Sequence, residues 1–352
     1  MRPTYVFVVV SMAACSGDHH TVADASVITD GSPLDGAVDV PPPVFASGAI
    51  ASPSAGYVDS IFANASGTRI YFLHSVYAPN DFIIGTSNYP QAPFLTGHHR
   101  QMGLDYNSDL YYVEWNGDAW SEPVNLGDQI NSVGSECCVW LNPEETEIIF
   151  YRDTFGLDAL GPTGNFIATR ATRDAAWSTP VLLPGVYGSD NQGGQVYRHD
   201  VHKTTSGDLY LWEHDPNLAN GARLLFGNRD GAGWDAPVTI GGSDAASDET
   251  QVWVSADERT MVFNRRGADG HTALIRMTRP DAGSAWSDPT SVPLDGFNDA
   301  NGLAVWGEPS FTSAEANMFY IRFDTSKDPW TADMMYALGT VANEFALPVK
   351  LN

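Results

Sequence analysis

The sequence predicts an all-β chain that folds as a five-bladed β-propeller with four antiparallel strands in each blade. Three observations predict this fold. A tryptophan or phenylalanine followed three residues later by proline recurs five times, at Trp120, Trp177, Trp234, Trp286 and Phe345. The steps between these anchors are 57, 57, 52 and 59 residues, a period that indicates a repeat architecture. Three further strand-like runs precede each anchor, which gives every repeat the four strands of a propeller blade.

The composition favours many short strands and an acidic surface. The chain has 352 residues, of which 43% are hydrophobic, enough for a large core even in one all-β domain. Its 33 glycines and 22 prolines suit the tight turns that join short strands. There are 43 acidic residues against 18 lysines and arginines, a formal net charge of −25. Such a surface repels phosphate backbones, so we expect no nucleic-acid partner.

Each repeat reads as four strands, most clearly in the second and fourth repeats. The second contains "ECCVWL", "IIFYRD", "NFIATRAT" and "AWSTPVLL", and the fourth contains "ETQVWVS", "TMVFNRR", "TALIRMT" and "AWSDPTSV". Alternation and β-branched or aromatic residues predict these strands. The proline of the last run has no N–H to donate, which predicts that this run is the outer edge strand of its blade. Its tryptophan is expected to fill the gap between neighbouring blades rather than to hold a ligand.

The first 43 residues are predicted to lie outside the propeller. Residues 1–15, "MRPTYVFVVVSMAAC", contain one basic residue, a short apolar run and then small residues, which is the pattern of a secretory signal and not of a membrane span. Residues 16–43 are rich in Asp, Ser, Gly and Pro, so they are predicted to form a disordered tether. The propeller is expected to occupy residues 44–352.

The cysteine after "MAA" resembles the lipobox cysteine of bacterial lipoproteins, although Met12 stands where that family usually has leucine. The resemblance implies that Cys15 is lipidated and becomes the mature N-terminus. In that family, a serine such as Ser16 in place of aspartate implies sorting to the outer membrane. We therefore expect an outer-membrane lipoprotein that faces the periplasm or the cell surface and touches the membrane only through its lipid. The alternative is an ordinary signal peptide with a cysteine present by chance.

The repeats resemble the WD40-like periplasmic repeats of Tol-associated and OmpA-associated proteins. The resemblance is carried by "GDAWSEPVNLGDQINSVGSE" followed by "NPEETEIIFYRD". These phrases contain a W-x-x-P strand, then an asparagine, an acid and a strand that ends in an aromatic residue. The resemblance extends from residue 44 to the C-terminus. It implies a propeller that acts as a binding or scaffolding module at the cell envelope, although some similar propellers are lyases or hydrolases.

One acidic residue recurs at the start of the innermost strand when the blades are aligned on their second strands: Asp59, Glu136, Glu249 and Glu308. Blade three breaks this pattern with "YRHDVH", which contains Arg198 and His199. We expect the four acids to converge at the mouth of the central channel, with Arg198 or His199 facing them. Three interpretations remain open: acids that bind backbone N–H groups, a site for a cation or a polar ligand, and catalysis.

The longest insertion, residues 76–108, falls between the second and third strands of blade one and is predicted to overhang the channel mouth. Long loops in compact domains are usually functional, although a polar insertion without a function is the alternative. The insertion offers His98 and Arg100, and blade five adds Trp330 at the same face. Aromatic faces combined with acids and an arginine suit a sugar, which stacks its apolar face and forms hydrogen bonds at its edges.

These features predict a non-catalytic, monomeric binding module for an envelope glycan or protein. No resident cofactor is expected, unless Ca²⁺, which suits carboxylates better than Zn²⁺ does, binds at the mouth. The alternative is a glycan-cleaving enzyme, either a glycoside hydrolase or a polysaccharide lyase. It rests on a distant likeness to five-bladed glycoside hydrolases of the arabinanase and levansucrase type, which place three acids at the channel mouth. That likeness implies Asp59, Glu136 and Asp200 as catalytic residues, although the family has glutamate at the third position.

Two adjacent cysteines, Cys137 and Cys138, lie on the predicted innermost strand of blade two. Neighbours on a regular strand point to opposite faces, so a disulfide between them would need a strained peptide. We therefore expect two buried free thiols, because cysteine packs well as a small hydrophobic residue.

Overall fold

Five four-stranded antiparallel sheets make up the fold, one for each sequence repeat. The computed structural model describes residues 57–75, 108–154, 161–188, 196–215, 222–231, 233–240, 247–266, 272–292, 304–312, 317–324, 331–339 and 349–351. In every sheet the hydrogen-bonded neighbours follow one another in chain order, so each blade is a simple meander. The five-bladed β-propeller predicted from the sequence is confirmed.

The strands are short and are numbered here along the chain. Blade 1 contains β1 (Tyr57–Ala63), β2 (Arg69–Ser75), β3 (Asp109–Glu114) and β4 (Val124–Asn125). Blade 2 contains β5 (Ser135–Leu141), β6 (Glu147–Asp153), β7 (Gly164–Thr169) and β8 (Val181–Leu182). Blade 3 contains β9 (Tyr197–Lys203), β10 (Leu209–His214), β11 (Ala222–Gly227), a small hairpin of β12 (Arg229–Asp230) and β13 (Gly233–Trp234), and β14 (Val238–Thr239).

The last two blades follow the same plan. Blade 4 contains β15 (Asp248–Val254), β16 (Thr260–Arg266), β17 (Thr272–Thr278) and β18 (Thr290–Ser291), and blade 5 contains β19 (Ala304–Phe311), β20 (Asn317–Asp324), β21 (Thr331–Leu338) and β22 (Val349–Lys350). A one-turn 3-10 helix, Gly185–Tyr187, follows β8. Within these ranges, the protein contains no helix whose length and apolar character would let it cross a membrane.

The first strand of each blade lies beside the first strands of both neighbouring blades. β1 contacts β5, β5 contacts β9, β9 contacts β15, β15 contacts β19, and β19 contacts β1. This circuit closes the ring around a central axis. The joint between blades 5 and 1 includes the backbone N–H of Ala63, which donates to Ser310 Oγ at 2.8 Å. The innermost strands therefore line the channel, as the sequence predicts.

The outermost strand is shorter than the sequence predicts. In every blade only two residues pair with the third strand. The prolines Pro123, Pro180, Pro237 and Pro289 each come directly before such a pair and lie outside the strand. Because proline has no N–H to donate, it limits how far the pairing extends toward the preceding tryptophan.

The tryptophans fill the gaps between blades, which confirms their predicted role as spacers. Trp234 of blade 3 lies with its ring centroid 5.8 Å from that of Tyr187, which belongs to blade 2. Trp286 of blade 4 lies 6.3 Å from Tyr210 of blade 3. Each ring therefore packs against the preceding blade. The fifth anchor, Phe345, lies outside the described residues.

Blades 1 and 2 are also joined by a buried carboxylate, Glu145, from the turn between β5 and β6. Its backbone is left-handed, with φ of 54°, a conformation that few residues other than glycine adopt. The carboxylate accepts hydrogen bonds from Asn64 Nδ2 at 2.9 Å and from the Tyr71 hydroxyl, and it forms an ion pair with Arg69 at 3.1 Å. All three partners belong to blade 1, so one side chain links the two sheets.

The environment of Glu145 favours its charged form. Burial alone would raise the pKa of this carboxyl, but hydrogen bonds from Tyr71 and Asn64 and the charges of Arg69 and Arg173 outweigh burial and lower the pKa below its ordinary value. A buried glutamate at the turn between β15 and β16 of blade 4 differs in part: it pairs with a buried arginine of its own blade at 3.3 Å and accepts a hydrogen bond from a backbone N–H of blade 3 at 3.3 Å.

The link predicts that Glu145→Gln destabilises the protein by roughly 1–3 kcal/mol at neutral pH, because Arg69 loses its buried counter-charge and keeps only partly or fully exposed ones, such as Glu114 at 2.9 Å. Since the folded-state pKa is lowered, the stabilisation is complete above the unfolded-state pKa and is lost as pH falls through the folded-state value. The stability difference between wild type and variant should therefore shrink in acid. Urea unfolding over a pH series measures it. The exposed neighbour provides the control, Glu144→Gln, and an equal loss in both variants would contradict the prediction.

Candidate functional site

All five innermost strands carry a β-bulge at the same position. The pairing register with the second strand shifts there in every blade. The first residue of each bulge has a left-handed backbone, with φ between 50° and 58°. None of the five is glycine, and their side chains line one axial cavity. We call these residues the polar ring: Ser60, Cys138, Asp200, Gln251 and Glu308.

The polar ring is internally connected. Ser60 Oγ donates to Glu308 Oε1 at 3.2 Å and lies 4.0 Å from Cys138 Sγ. The backbone N–H of Glu308 donates to Gln251 Oε1 at 3.1 Å. Asp200 accepts a hydrogen bond from the indole N–H of Trp212. Polar atoms from different blades therefore meet at the axis, although Asp200 also bonds within its own blade.

Bulky rings lie one step further along the same strands. Two residues after each bulge, blades 1 to 4 present an aromatic or imidazole ring to the same cavity: Phe62, Trp140, His202 and Trp253. The ring centroid of His202 lies 6.0 Å from that of Trp140 and 6.3 Å from that of Trp253. Burial lowers the pKa of His202 to about 3, so this histidine is neutral at physiological pH. The polar ring is thus closed on one side by a largely uncharged layer.

Three further polar groups precede the bulge on the other side. Asp59 lies within hydrogen-bonding reach of Glu308. Cys137 Sγ lies 2.7 Å from Cys138 Sγ, and His199 Nδ1 lies 4.0 Å from Cys138 Sγ. Thiol, imidazole and carboxyl groups therefore converge within a few ångströms of the axis.

The environment of the site favours the neutral forms of Glu308, Asp200 and Cys138. Burial, followed by the charges of Asp59 and Asp200, raises the pKa of Glu308 well above its ordinary value. Burial also raises the pKa of Asp200 and of the Cys138 thiol. The pKa of His199 is lowered to about 3, chiefly by burial and then by the neighbouring His214. Burial thus disfavours the charged form of each of these groups, whether acid or imidazole.

The predicted convergence of four acids is only partly found. Glu308 belongs to the polar ring, and Asp59 lies beside it. Glu136 and Glu249 are two residues before their bulges, are fully buried, and pair with an arginine of the second strand of their own blade. Their charge is therefore balanced inside the blade and away from the cavity. The bulge causes the difference, because one extra residue shifts which side chain reaches the axis.

The irregular blade three contains the same ion pair with its charges reversed. Glu249 faces Arg265 across the strands of blade 4, with the charged atoms 2.6 Å apart. At the corresponding pair in blade 3, the arginine is on the innermost strand: Arg198 faces Glu213 at 2.6 Å. Arg198 therefore compensates a glutamate of its own blade and does not face the acids of other blades.

Several predicted residues cannot be placed. His98, Arg100 and Trp330 lie outside the described residues, as does Cys15, so their roles stay predictions. The position of the insertion between β2 and β3 agrees with the sequence analysis, because β2 ends at Ser75 and β3 begins at Asp109.

The expectation for the two cysteines is partly wrong. Both thiols are free, as predicted, but they are only partly buried. Their sulfur atoms lie on the same side of the strand because Cys138 is the left-handed residue of the bulge. The rule that neighbours point to opposite faces holds for a regular strand and fails here.

The sequence analysis missed Ser60, Cys138 and Gln251 as members of the site. A signal for them exists in the innermost strands, where a polar residue precedes an apolar residue and then usually a ring: "SIF", "CVW", "DVH", "QVW" and "EPS". Alignment of the blades on these triplets, instead of on the second strands, brings the five polar residues into one column.

The sequence matches no protein-family model and no curated protein. Among solved structures, the chain is similar to a protein of unknown function from Dyadobacter fermentans, with 13% identity and a TM-score of 0.48 over 85% of this chain and 83% of that one. It is also similar to TolB from Acinetobacter baumannii (10% identity, TM-score 0.42, 84% of this chain and 57% of that one). A third similar structure is an α-L-arabinofuranosidase from Podospora anserina, with 12% identity and a TM-score of 0.44 over 81% of this chain and 94% of that one. Similarities at this level carry no argument about ligand or reaction.

The reversed pair of blade 3 predicts that the orientation of the ion pair in blade 4 can be exchanged. Arg265→Glu alone should destabilise the protein by roughly 3–5 kcal/mol, because it places two acids face to face in a buried position. Adding Glu249→Arg should recover most of that loss by recreating the arrangement of blade 3. A double-mutant cycle from urea unfolding measures the coupling. A double variant as unstable as the sum of the single variants would contradict this account.

Proposed function

We propose that this protein is a binding module whose ligand contacts the polar ring at the propeller axis, and that it is not an enzyme. One observation carries the proposal. Every blade places a polar side chain at a left-handed backbone position where glycine would cost least. A residue with a side chain pays about 1–3 kcal/mol for such a conformation, and it usually persists where the side chain has a function.

The chemistry of the ring supports recognition over structural support. The surrounding features are repeated: the bulge occurs five times, and the cross-strand ion pair recurs in blades 2, 3 and 4. At the polar ring, by contrast, a serine, a thiol, a carboxamide and two carboxyl groups occupy one equivalent position. A structural requirement common to all blades would favour one residue type, whereas an asymmetric ligand needs different groups around it.

The residues expected for the glycan-cleaving alternative are only partly brought together. Its expected residues Asp59, Glu136 and Asp200 do not form a common site, because Glu136 is held by Arg152 at 2.7 Å. The remaining candidate pair is Asp200 with Glu308, whose carboxylate oxygens come within 4.8 Å of each other. Retaining glycosidases need about 5–5.5 Å and inverting enzymes about 6.5–9.5 Å between carboxyl groups. Release of reducing sugar from an envelope glycan, lost in Glu308→Gln, would support the alternative.

The cellular setting of the proposal comes from the N-terminus and the repeats. Residues 1–15 have the pattern of an export signal with a lipobox, and the repeats resemble those of Tol-associated and OmpA-associated periplasmic proteins. We infer an exported, lipid-anchored propeller of the outer membrane whose partner is an envelope glycan or protein. The acidic chain, with a net charge of −25, disfavours a nucleic acid.

Lipidation of Cys15 predicts that Cys15→Ser releases the protein from the membrane fraction of cells into the soluble fraction. Lipid attachment is a covalent step at the thiol, so the serine variant lacks the anchor while the propeller sequence is unchanged. Fractionation followed by immunoblotting measures the distribution. Met12→Leu, which restores the common lipobox residue, is the matched control and should stay with the membrane. A Cys15→Ser protein that remains membrane-bound would disprove the anchor.

If the strained backbone of the polar ring is retained for function, substitution by glycine should have opposite effects on stability at two left-handed positions. Ser60→Gly should leave stability unchanged or raise it by up to about 1 kcal/mol, because the strain at φ 56° is relieved and only contacts within the ring are lost. Glu258→Gly, at φ 59°, should lower stability because this side chain pairs with buried Arg279. Thermal melts compare the two variants.

Binding is then measured on an array of envelope glycans with the full-length protein, Ser60→Gly and Glu308→Gln. Binding that the two ring variants lose while they remain folded supports the polar ring as the site. Glycan binding that is unchanged in both variants, or a Ser60→Gly protein as unstable as Glu258→Gly, would remove the ring from the function.

A further inference from the structure

Two groups of three potential metal ligands meet at Cys138. Ligand atoms of Cys137, Cys138 and His199 all lie within 4.8 Å of one another. The same holds for Cys138, Asp200 and Glu308. The two groups share one sulfur atom, and all five residues are only partly buried, so an ion from solution can reach them. Three of the five blades contribute side chains, which makes the cluster a product of the closed ring.

We propose that the polar ring is a binding site for a thiophilic divalent transition metal ion of the Zn²⁺ class, with the Cys138 sulfur as its central ligand. Cys137 and His199 complete one side of the coordination sphere, and a carboxylate of Asp200 or Glu308 supplies the fourth ligand. This inference rests on the proposed function, because it identifies the chemical class of ligand that the ring binds. The proposed site takes one ion per chain.

The ligand spacing is close to that of a tetrahedral site. With Zn–S near 2.3 Å and Zn–N near 2.0–2.1 Å, a sulfur and a nitrogen of one tetrahedral site lie about 3.6 Å apart. Cys138 Sγ and His199 Nδ1 are 4.0 Å apart. The two sulfur atoms, at 2.7 Å, must separate by about 1 Å to reach tetrahedral spacing. Rotation of one thiol side chain provides that movement without a change in the backbone.

Neighbouring side chains hold the ligands in orientation, as in established metal sites. The imidazole of His199 is enclosed by two aromatic rings: the centroid of Tyr151 lies at 4.1 Å, and Trp212 is stacked at 5.0 Å. The indole N–H of the same Trp212 donates to Asp200, so one residue orients a ligand from each group. Such preorganisation lowers the ordering cost of binding an ion.

The charge balance of the cluster favours a cation. In the described ranges, Asp200 and Glu308 form no ion pair with lysine or arginine, whereas Glu136, Glu213 and Glu249 are all paired with arginine. Asp59 lies within hydrogen-bonding reach of Glu308 and adds a further carboxyl group beside the cluster. The buried glutamates within the blades are thus paired with arginine, whereas Asp200 and Glu308 at the axis are expected to take a bound cation as their counter-charge.

The ligand set changes the expected metal. Carboxylates alone would suit Ca²⁺, which the sequence analysis names only as an exception to its expectation of no resident cofactor. Two thiols and an imidazole are soft or intermediate ligands that favour Zn²⁺ and similar ions. The ion displaces a proton from each thiol that it binds, and these protons pass to the buffer.

Cobalt is a suitable probe because Co²⁺ takes the tetrahedral thiolate sites of Zn²⁺ and is coloured. The full-length protein is treated with chelator, kept reduced with a phosphine and titrated with Co²⁺. We expect a thiolate-to-cobalt charge-transfer band and intense visible bands that saturate at one equivalent and disappear when Zn²⁺ is added. Reduction matters because an oxidised Cys137–Cys138 pair would lack thiolates.

Variants then assign the ligands. Cys138→Ser should abolish the charge-transfer band, and at least one of Asp200→Asn and Glu308→Gln should weaken Co²⁺ binding 10-fold or more while retaining the band. Substitution of both tether histidines, His19→Ala with His20→Ala, is the matched control and should change neither. Circular dichroism checks the fold of each variant, and if Cys138→Ser does not fold, Cys138→Ala replaces it with the same expected loss.

The outcomes separate this inference from the proposed function. A reduced wild-type protein without the band, a band that Cys138→Ser or its substitute retains, or Ca²⁺ binding that outcompetes Co²⁺ would overturn the metal site. If the metal site fails while ring variants still lose glycan binding, the ring remains a binding site of another kind. If the band behaves as expected, the metal site stands whether or not a glycan binds.

Discussion

The left-handed residue in each innermost strand is the constraint on which the site depends. A regular strand alternates its side chains between two faces, so only every second residue of an innermost strand would point to the same side. The bulge interrupts that alternation at one register in all five blades and turns Ser60, Cys138, Asp200, Gln251 and Glu308 inward together. Each polar residue lies on a strand that is held by its own sheet. Its position is therefore fixed, and no loop is needed to carry it. The bulge therefore determines both which polar groups form the site and where they lie.

The sequence contained enough information for the fold and only part of the site. The Trp-x-x-Pro period predicted the blades because the spacer rings, such as Trp234 against Tyr187, are a requirement of every joint. The site was harder because a bulge adds one residue without changing the hydrophobic pattern around it. An alignment on the second strand therefore selected Glu136 and Glu249, which precede the bulge by two residues. The missing information was the position of the bulge in the pairing of the first two strands of each blade. A single sequence indicates that position only indirectly.

Two populations of buried acid emerge, and they differ in how their charge is compensated. Glu145 and the glutamates of the cross-strand pairs meet arginine, so they act within the scaffold. The reversed pair of Arg198 and Glu213 shows that these scaffold pairs require opposite charges but no particular direction. Asp200 and Glu308, at the axis, meet thiol, hydroxyl and indole groups. An acid count alone could not separate the two populations, because both occur in the same strands.

The meander within each blade has a consequence for how such a chain can arise and be rearranged. No blade borrows a strand from another, so the joint between blades 5 and 1 is made by surface contacts, such as Ala63 with Ser310, instead of by shared pairing. The joint between blades 1 and 2 adds a backbone hydrogen bond, in which the N–H of Glu136 donates to the carbonyl oxygen of Ser108 at 3.0 Å. Whole blades are thus interchangeable units of duplication, and the chain could start at any blade boundary by circular permutation without breaking a sheet. The axial cluster, by contrast, needs residues from several blades and appears only when the circle is complete.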